Sequence, residues 1–167
     1  MTETITSAAG IGSRDFWRAV GLRAIGAAVV AARDDNGPQG FLGLSTAHVS
    51  DDPPLMSVSV GKTTSALAPI LGAGCFTLNF LTDAQDDLAK VFGGGGDLKG
   101  AQRFTSATWD AMATGAPALV GAAGVIDCQV EQAIDLQSSM LVIGRVLAFR
   151  SEAGARPLVC YRGGYLK

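Results

Sequence analysis

Lys62, Thr63, Thr64 and Ser65 place one ammonium and three hydroxyls at consecutive positions, directly before the apolar, helix-like run 66–71. A helix start leaves backbone N–H groups unpaired and carries the positive end of the macrodipole, so such a junction can cradle a phosphate. An ordinary helix cap with a solvated lysine accounts for the same residues, because Ser and Thr cap helices routinely. Upstream, Ser45, Thr46, His48 and Ser50 are set into a mostly apolar stretch from Gly40. Asp51-Asp52-Pro53-Pro54 stops that strand, since proline fixes φ and donates nothing to a ladder. Residues 55–60 then alternate with period two, as a half-buried strand does.

Most protein-only chemistries are excluded. Gly43-Leu44-Ser45-Thr46-Ala47 nearly matches a nucleophile elbow, but that serine needs a histidine far downstream, and the only histidine is His48. The glycines 93–96 are followed by no G-K-[ST], so they read as a loop rather than a phosphate-binding P-loop. The carboxylates fall in turns and helix starts and form no acid/base couple. Cys75, Cys128 and Cys160 have no metal-ligand spacing and sit in apolar, strand-like runs, which predicts free buried thiols and no metal. What remains is a chain that borrows its reactivity from a cofactor and supplies a pocket, a phosphate anchor and ring contacts.

The elements that must position these groups follow in chain order. The 167 residues suffice for one domain; we expect a polar N-terminal tail over 1–12 and the domain over 13–167. Hydrophobic residues make up 48% and charged residues 17%, which suggests a surface partly buried against another subunit. A net charge of −2 leaves no footprint for nucleic acid or an anionic membrane. No run approaches the roughly 18 apolar residues of a membrane span, so a cytoplasmic protein is expected.

Ser13 is expected to cap a helix over 14–20 with Phe16, Trp17 and Val20 on one face. Residues 25–32 read as a strand, followed by the hairpin turn Asp34-Asp35-Asn36-Gly37. Gly72-Ala73-Gly74 ends the helix after Ser65, and 75–81 alternates as a strand. Thr82-Asp83-Ala84-Gln85 is a capping-box pattern, with Leu88, Val91 and Phe92 turned inward after it. Residues 99–115 look irregular, anchored by Phe104 and Trp109, and strands are expected at 117–120, 125–130, 141–149 and 157–161. Strands outnumber helices and turns recur often, so the fold class is mainly β, a closed or partly closed antiparallel barrel with few helices.

The spacing G-x4-S-x3-V-S-x-D-P-P from Gly40 to Pro54 resembles the flavin reductase-like, FMN-binding split-barrel family, which includes the flavin reductase components of two-component monooxygenases. Gly61-Lys62-Thr63-Thr64-Ser65, Phe76-Thr77-Leu78-Asn79-Phe80-Leu81 and Leu88-Ala89-Lys90-Val91-Phe92 are similar to that family's motifs. So, in order, are Arg103-Phe104, Trp109, Gly115-Ala116-Pro117, Gly121-Ala122, Cys128, Ile143-Gly144-Arg145-Val146 and 157–165. The resemblance implies a six-stranded Greek-key-like split barrel that dimerises, with FMN (or FAD) near the dimer interface, NAD(P)H as co-substrate, and reduced flavin supplied to a partner monooxygenase. It implies ring contacts from Leu44, Ser45, Thr46, His48, Val49 and Ser50, phosphate contacts from Lys62, Thr63 and Ser65, and Phe92 bordering the flavin.

Two departures stand out. Leu42 and Leu44 replace the polar residues of the family's G-M-T-x-N run, and Ser139, within Gln137-Ser138-Ser139-Met140, replaces the histidine of G-D-H-T on the nicotinamide side. These substitutions keep open a second reading, a flavin-binding protein without NAD(P)H turnover, and a third in which haem or a deazaflavin fills the pocket.

Overall fold

In this computed structural model residues 4–6 and 8–166 are described. The expected tail over 1–12 lies partly outside them, and residues 4–6 and 8–12 form no helix or strand. The elements run α1 (Ser13–Val20), β1 (Ile25–Gly26), β2 (Ala28–Asp34), β3 (Gly37–Gly43), β4 (Ala47–Asp51), β5 (Pro54–Gly61), α2 (Leu67–Ala73) and β6 (Cys75–Phe80). They continue with α3 (Asp86–Phe92), a 3-10 helix (Gly100–Ser106), β7 (Trp109–Ala111), β8 (Pro117–Leu119), β9 (Gly124–Leu136), β10 (Ser139–Ser151), β11 (Val159–Tyr161) and β12 (Gly164–Leu166).

The protein is mainly β, and its centre is one antiparallel sheet in the order β3-β2-β6-β9-β10-β5-β4. Seven strands form this ladder, where six closing on themselves were expected, and among the described residues β3 and β4 remain its edges. Ser45 bridges from the end of β3 to β5: its Oγ donates to the Ser59 carbonyl at 3.2 Å and accepts the Ser59 N–H at 3.1 Å. The sheet is therefore curled, and a side chain rather than a ladder spans the gap.

β2 explains the curl. Its residues 28–32 are all fully buried, which is why the sequence there is apolar without alternation. Val29 and Ala31 join one core with Leu81, Leu88, Phe92, Phe104, Leu119 and Leu158, covered by α3, the 3-10 helix and β8. Val30 and Ala32 join the other, with Val58, Val60, Ile70, Phe76, Leu78 and Val142, inside the curl and closed by α2. Burying about ten medium-sized apolar side chains on each side of one strand gives this strand no solvent face.

Several local expectations change. Ser13 lies inside α1, whose N-cap is Gly12 without a side-chain bond, and no residue of that helix is buried. Phe16 and Trp17 stay exposed because α1 is tethered at its end, where the Arg162 N–H donates to the Gly21 carbonyl, and not along its apolar face. The capping box at 82–85 is half made: Gln85 Oε1 accepts the Thr82 N–H at 2.9 Å, and the helix starts only at Asp86. β9 and β10 are each longer than expected, since their outer halves pair through backbone bonds while carrying exposed residues such as Glu131 and Asp135. Short β12 was not anticipated and pairs with β11.

Candidate functional site

The Gly61–Ser65 segment turns between β5 and α2, with the Thr64 N–H donating to the Gly61 carbonyl at 2.9 Å. Ala66, not a hydroxyl residue, takes the N-cap position of α2, and no side chain caps it. Thr63, Thr64 and Ser65 are thus not consumed by capping. They line a cavity of about 420 Å³ together with Phe41, Phe92, Gly93, Gly94, Lys99, Gly100 and Arg103.

The opposite wall is built by α3 and the segment after it. Phe92 ends α3 and stacks edge-on against Phe104, 5.1 Å between centroids, and Trp109 packs on both rings. Gly40 permits this: a Cβ there would lie 3.1 Å from each phenylalanine ring and 2.9 Å from the Val30 carbonyl. Arg103 is held in place by its Nε donating to the Leu98 carbonyl at 3.2 Å and its Nη1 to the Gly40 carbonyl at 3.4 Å. Gly100, at φ 54°, carries the chain into the 3-10 helix beside the half-buried Gln39 side chain.

The electrostatics of this cavity are one-sided. Among the described residues no carboxylate pairs with Lys99 or Arg103, whereas Lys62, Arg145, Arg150 and Arg156 each have one and Lys90 has two. No acidic residue lines the cavity. Two cations, three hydroxyls and an aromatic wall fit an anionic, partly aromatic ligand; the donor set matches a phosphate. A larger open depression of about 840 Å³ beside α1, lined by Arg14, Asp15, Trp17, Leu22 and Arg162 among others, has an acid in its wall and none of these hydroxyls.

Of the residues expected from the sequence, Thr63, Ser65 and Phe92 reach the cavity. Lys62 does not line it; its ammonium sits 2.7 and 2.8 Å from the two oxygens of Asp135. Leu44 packs with Leu42 against the α3 core, so the two apolar departures serve packing. Ser45 is engaged with Ser59, and the Ser50 hydroxyl donates to the Pro53 carbonyl in the β4–β5 turn. His48 and Val49 are exposed on edge strand β4, where a bulge interrupts the register. Ser139 lies across the ladder from Gly61. Thr64, the third hydroxyl of the same turn, lines the cavity too, while Phe41, Gly93, Gly94, Lys99, Gly100 and Arg103 were missed as lining residues. The signal available was the pair of basic residues flanking Gly100 in a segment rich in glycine, which reads as a plain loop until the fold brings it over β3.

Asn79, within the Phe76–Leu81 motif, serves the fold. It is fully buried, its amide donates to the Val29 carbonyl and Thr77 Oγ1 at 2.9 Å each, and its oxygen accepts the Leu119 N–H at 2.7 Å. This pins β8 over β6. Asp127 does the same for the preceding turn, accepting from the Thr114 N–H and hydroxyl. Burial pushes the neighbouring Cys128 thiol up to about 12, so it stays protonated. All three cysteines are free, but Cys75 and Cys160 are only half-buried, where buried thiols were expected.

Comparison with known proteins decides the family. Residues 22–167 match the model of the flavin reductase like domain. The chain belongs to this family. It is 27% identical over 164 residues to an FMN reductase (NADH), RutF, of Pseudomonas syringae, covering 98% of this chain and 91% of that one. It is 34% identical over 137 residues to the reductase component of the flavin-dependent trigonelline monooxygenase of Acinetobacter baylyi, covering 82% of this chain but 43% of that longer relative. Nitrilotriacetate monooxygenase component B from Mycobacterium thermoresistibile superposes with a TM-score of 0.84 at 28% identity, over 92% of this chain and 84% of that one. Among the described residues no helix is long and apolar enough to cross a membrane.

Proposed function

We propose that the cavity between the 63–65 turn and the α3–Gly100 wall is where this chain grips the anionic end of its flavin. The chain is a flavin reductase, an oxidoreductase that uses FMN and NADH-type reductant. The bound flavin supplies the hydride-accepting chemistry; the residues of this chain bind, orient and shield it. The hydroxyls of Thr63, Thr64 and Ser65 and the cations Lys99 and Arg103 would hold phosphate, with Phe41 and Phe92 beside the ribityl or ring portion. The segment from Leu44 to Ser50, with the exposed His48 and Val49 on β4, continues from Phe41 and is the proposed ring side. Ser139, beside Gly61, is the proposed nicotinamide-side residue.

The observation that carries the phosphate assignment is the convergence of two carboxylate-free cations with three uncommitted hydroxyls in one cavity. FMN and riboflavin titrations of Arg103→Met test it. FMN should weaken by roughly 10- to 100-fold, the loss of a charge-assisted bond of about 1.5–3 kcal/mol, and riboflavin should hardly change. Equal losses for both ligands would remove the assignment.

Three finer readings accompany it. The curled sheet is taken as the family's split barrel, with Ser45 bridging the split. The domain is taken to span 13–167. A homodimer is supported by the outward row on β10, where Leu147 is 48% and Phe149 74% exposed, an apolar face of the kind a second copy covers. A cytoplasmic setting and delivery of reduced flavin to a monooxygenase complete the proposal, the latter resting on the relatives named as monooxygenase components.

A further inference from the structure

The tip of the β9–β10 hairpin touches the hydroxyl turn at three points. Ser139 is the ladder partner of Gly61, the Lys62 N–H donates to the Ser138 carbonyl at 3.0 Å, and the Lys62 ammonium holds both oxygens of Asp135 at 2.7 and 2.8 Å. Lys62 therefore points at the hairpin, while the next three residues line the cavity. Within the segment the Thr64 N–H closes on the Gly61 carbonyl at 2.9 Å and the Leu67 N–H on the Thr64 carbonyl at 3.1 Å, and the first residues of the turn are braced from outside. That brace is the hairpin tip, where Gln137 adopts φ 55° to reverse the chain. The hydrogen bond from the Lys62 ammonium also holds the Asp135 carboxyl below the usual carboxylate range.

We propose that Lys62 and Asp135 form a positioning latch that holds the Thr63–Ser65 hydroxyls in phosphate-binding geometry, so that Lys62 acts through Asp135 and not on the phosphate. The proposal rests on the reading of this cavity as the flavin phosphate site. Both side chains are exposed, Lys62 by 40% and Asp135 by 64%, so each broken latch should cost only a few-fold in affinity, roughly 2- to 5-fold.

The sign of the Asp135 effect separates the latch from a direct lysine ligand. Were Lys62 a phosphate ligand, Asp135 would be a competing anion, and neutralising it would tighten FMN. Purified full-length variants Lys62→Met, Asp135→Asn and the swap Lys62→Asp with Asp135→Lys are titrated with FMN and with riboflavin. Each single variant is expected to weaken FMN roughly 2- to 5-fold with riboflavin unchanged, and the swap to return within about twofold of the parent. Tighter or unchanged FMN in Asp135→Asn, or a swap as weak as Lys62→Met, overturns the latch. Arg103→Met separates the two failures: if it weakens FMN while Asp135→Asn does not, only the latch falls. If it has no effect, the cavity reading falls with it.

Discussion

Asn79 and the 62–65 turn belong to neighbouring motifs, and both consist of polar residues beside apolar strands. One is sealed inside, the other opens to a cavity. Asn79 makes three bonds from a fully buried position, two of them to backbone groups of β2 and β8. Thr63, Thr64 and Ser65 make no such commitments, and the lysine beside them is balanced by an exposed carboxylate. The difference shows what decides the use of a polar residue near a core. Where water is excluded, unmade bonds are costly and the residue is bound to the fold. Where a cavity leaves its hydroxyl exposed, the residue is available to a ligand.

The contrast is broken most severely at Asn79. Asn79→Leu removes the buried bonds to the Val29 carbonyl and the Leu119 N–H, so the protein should lose about 2–4 kcal/mol, read from a denaturant midpoint. Its FMN affinity per folded molecule should stay near the parent's; a selective loss of FMN binding would place Asn79 in the site after all. Gly40→Ala comes next. A methyl there meets two aromatic rings and a carbonyl, and overpacking of that kind costs about 1–3 kcal/mol. Because Phe92 must shift, this variant is expected to lower both stability and flavin affinity, riboflavin and FMN alike, which isothermal titration would resolve.

On the exposed side the effects are smaller and fall on the ligand. Thr63→Val should weaken FMN roughly 5-fold, about 1 kcal/mol, leave riboflavin unchanged and leave the melting temperature near the parent's. A lowered melting temperature with intact FMN binding would move Thr63 to the structural group. Smallest of all is the pair that ties β7 to β10, Arg150 with Asp110 at 2.8 Å. The Arg150 guanidinium holds the Asp110 carboxyl below its ordinary value. Its folded pKa is thus below the unfolded one, so the pair's contribution is present above about pH 4 and fades as pH falls through the folded value. Comparing Asp110→Asn with the parent by urea unfolding from about pH 6 to about pH 3 should show a gap of roughly a few tenths of a kcal/mol that narrows on acidification. A gap that widens instead would reverse the assignment.

Much of this architecture was legible in the residues. Period-two alternation marked β5 and β6, Asp-Asp-Pro-Pro marked the β4–β5 turn, Gly74 supplied the left-handed residue after α2 at φ 66°, and the apolar run over 25–32 marked the strand β2, whose burial on both faces came only with the fold. The face of α1 was misjudged because amphipathic spacing says which residues lie together, not whether anything packs against them. The outer halves of β9 and β10 were misjudged because backbone pairing continues where side-chain patterning stops.

By itself, then, the sequence determined the mainly β class and the turn that carries Thr63 and Ser65, since these follow from local sterics and from residue types. Only the tertiary structure decided that Lys62 faces Asp135, that Leu44 joins the core, and that Lys99 and Arg103 complete the cavity. Those choices bring together residues far apart in the chain, and which cation finds which carboxylate is settled by the register of β9 and β10 and the path of the chain over β3, which no local pattern records.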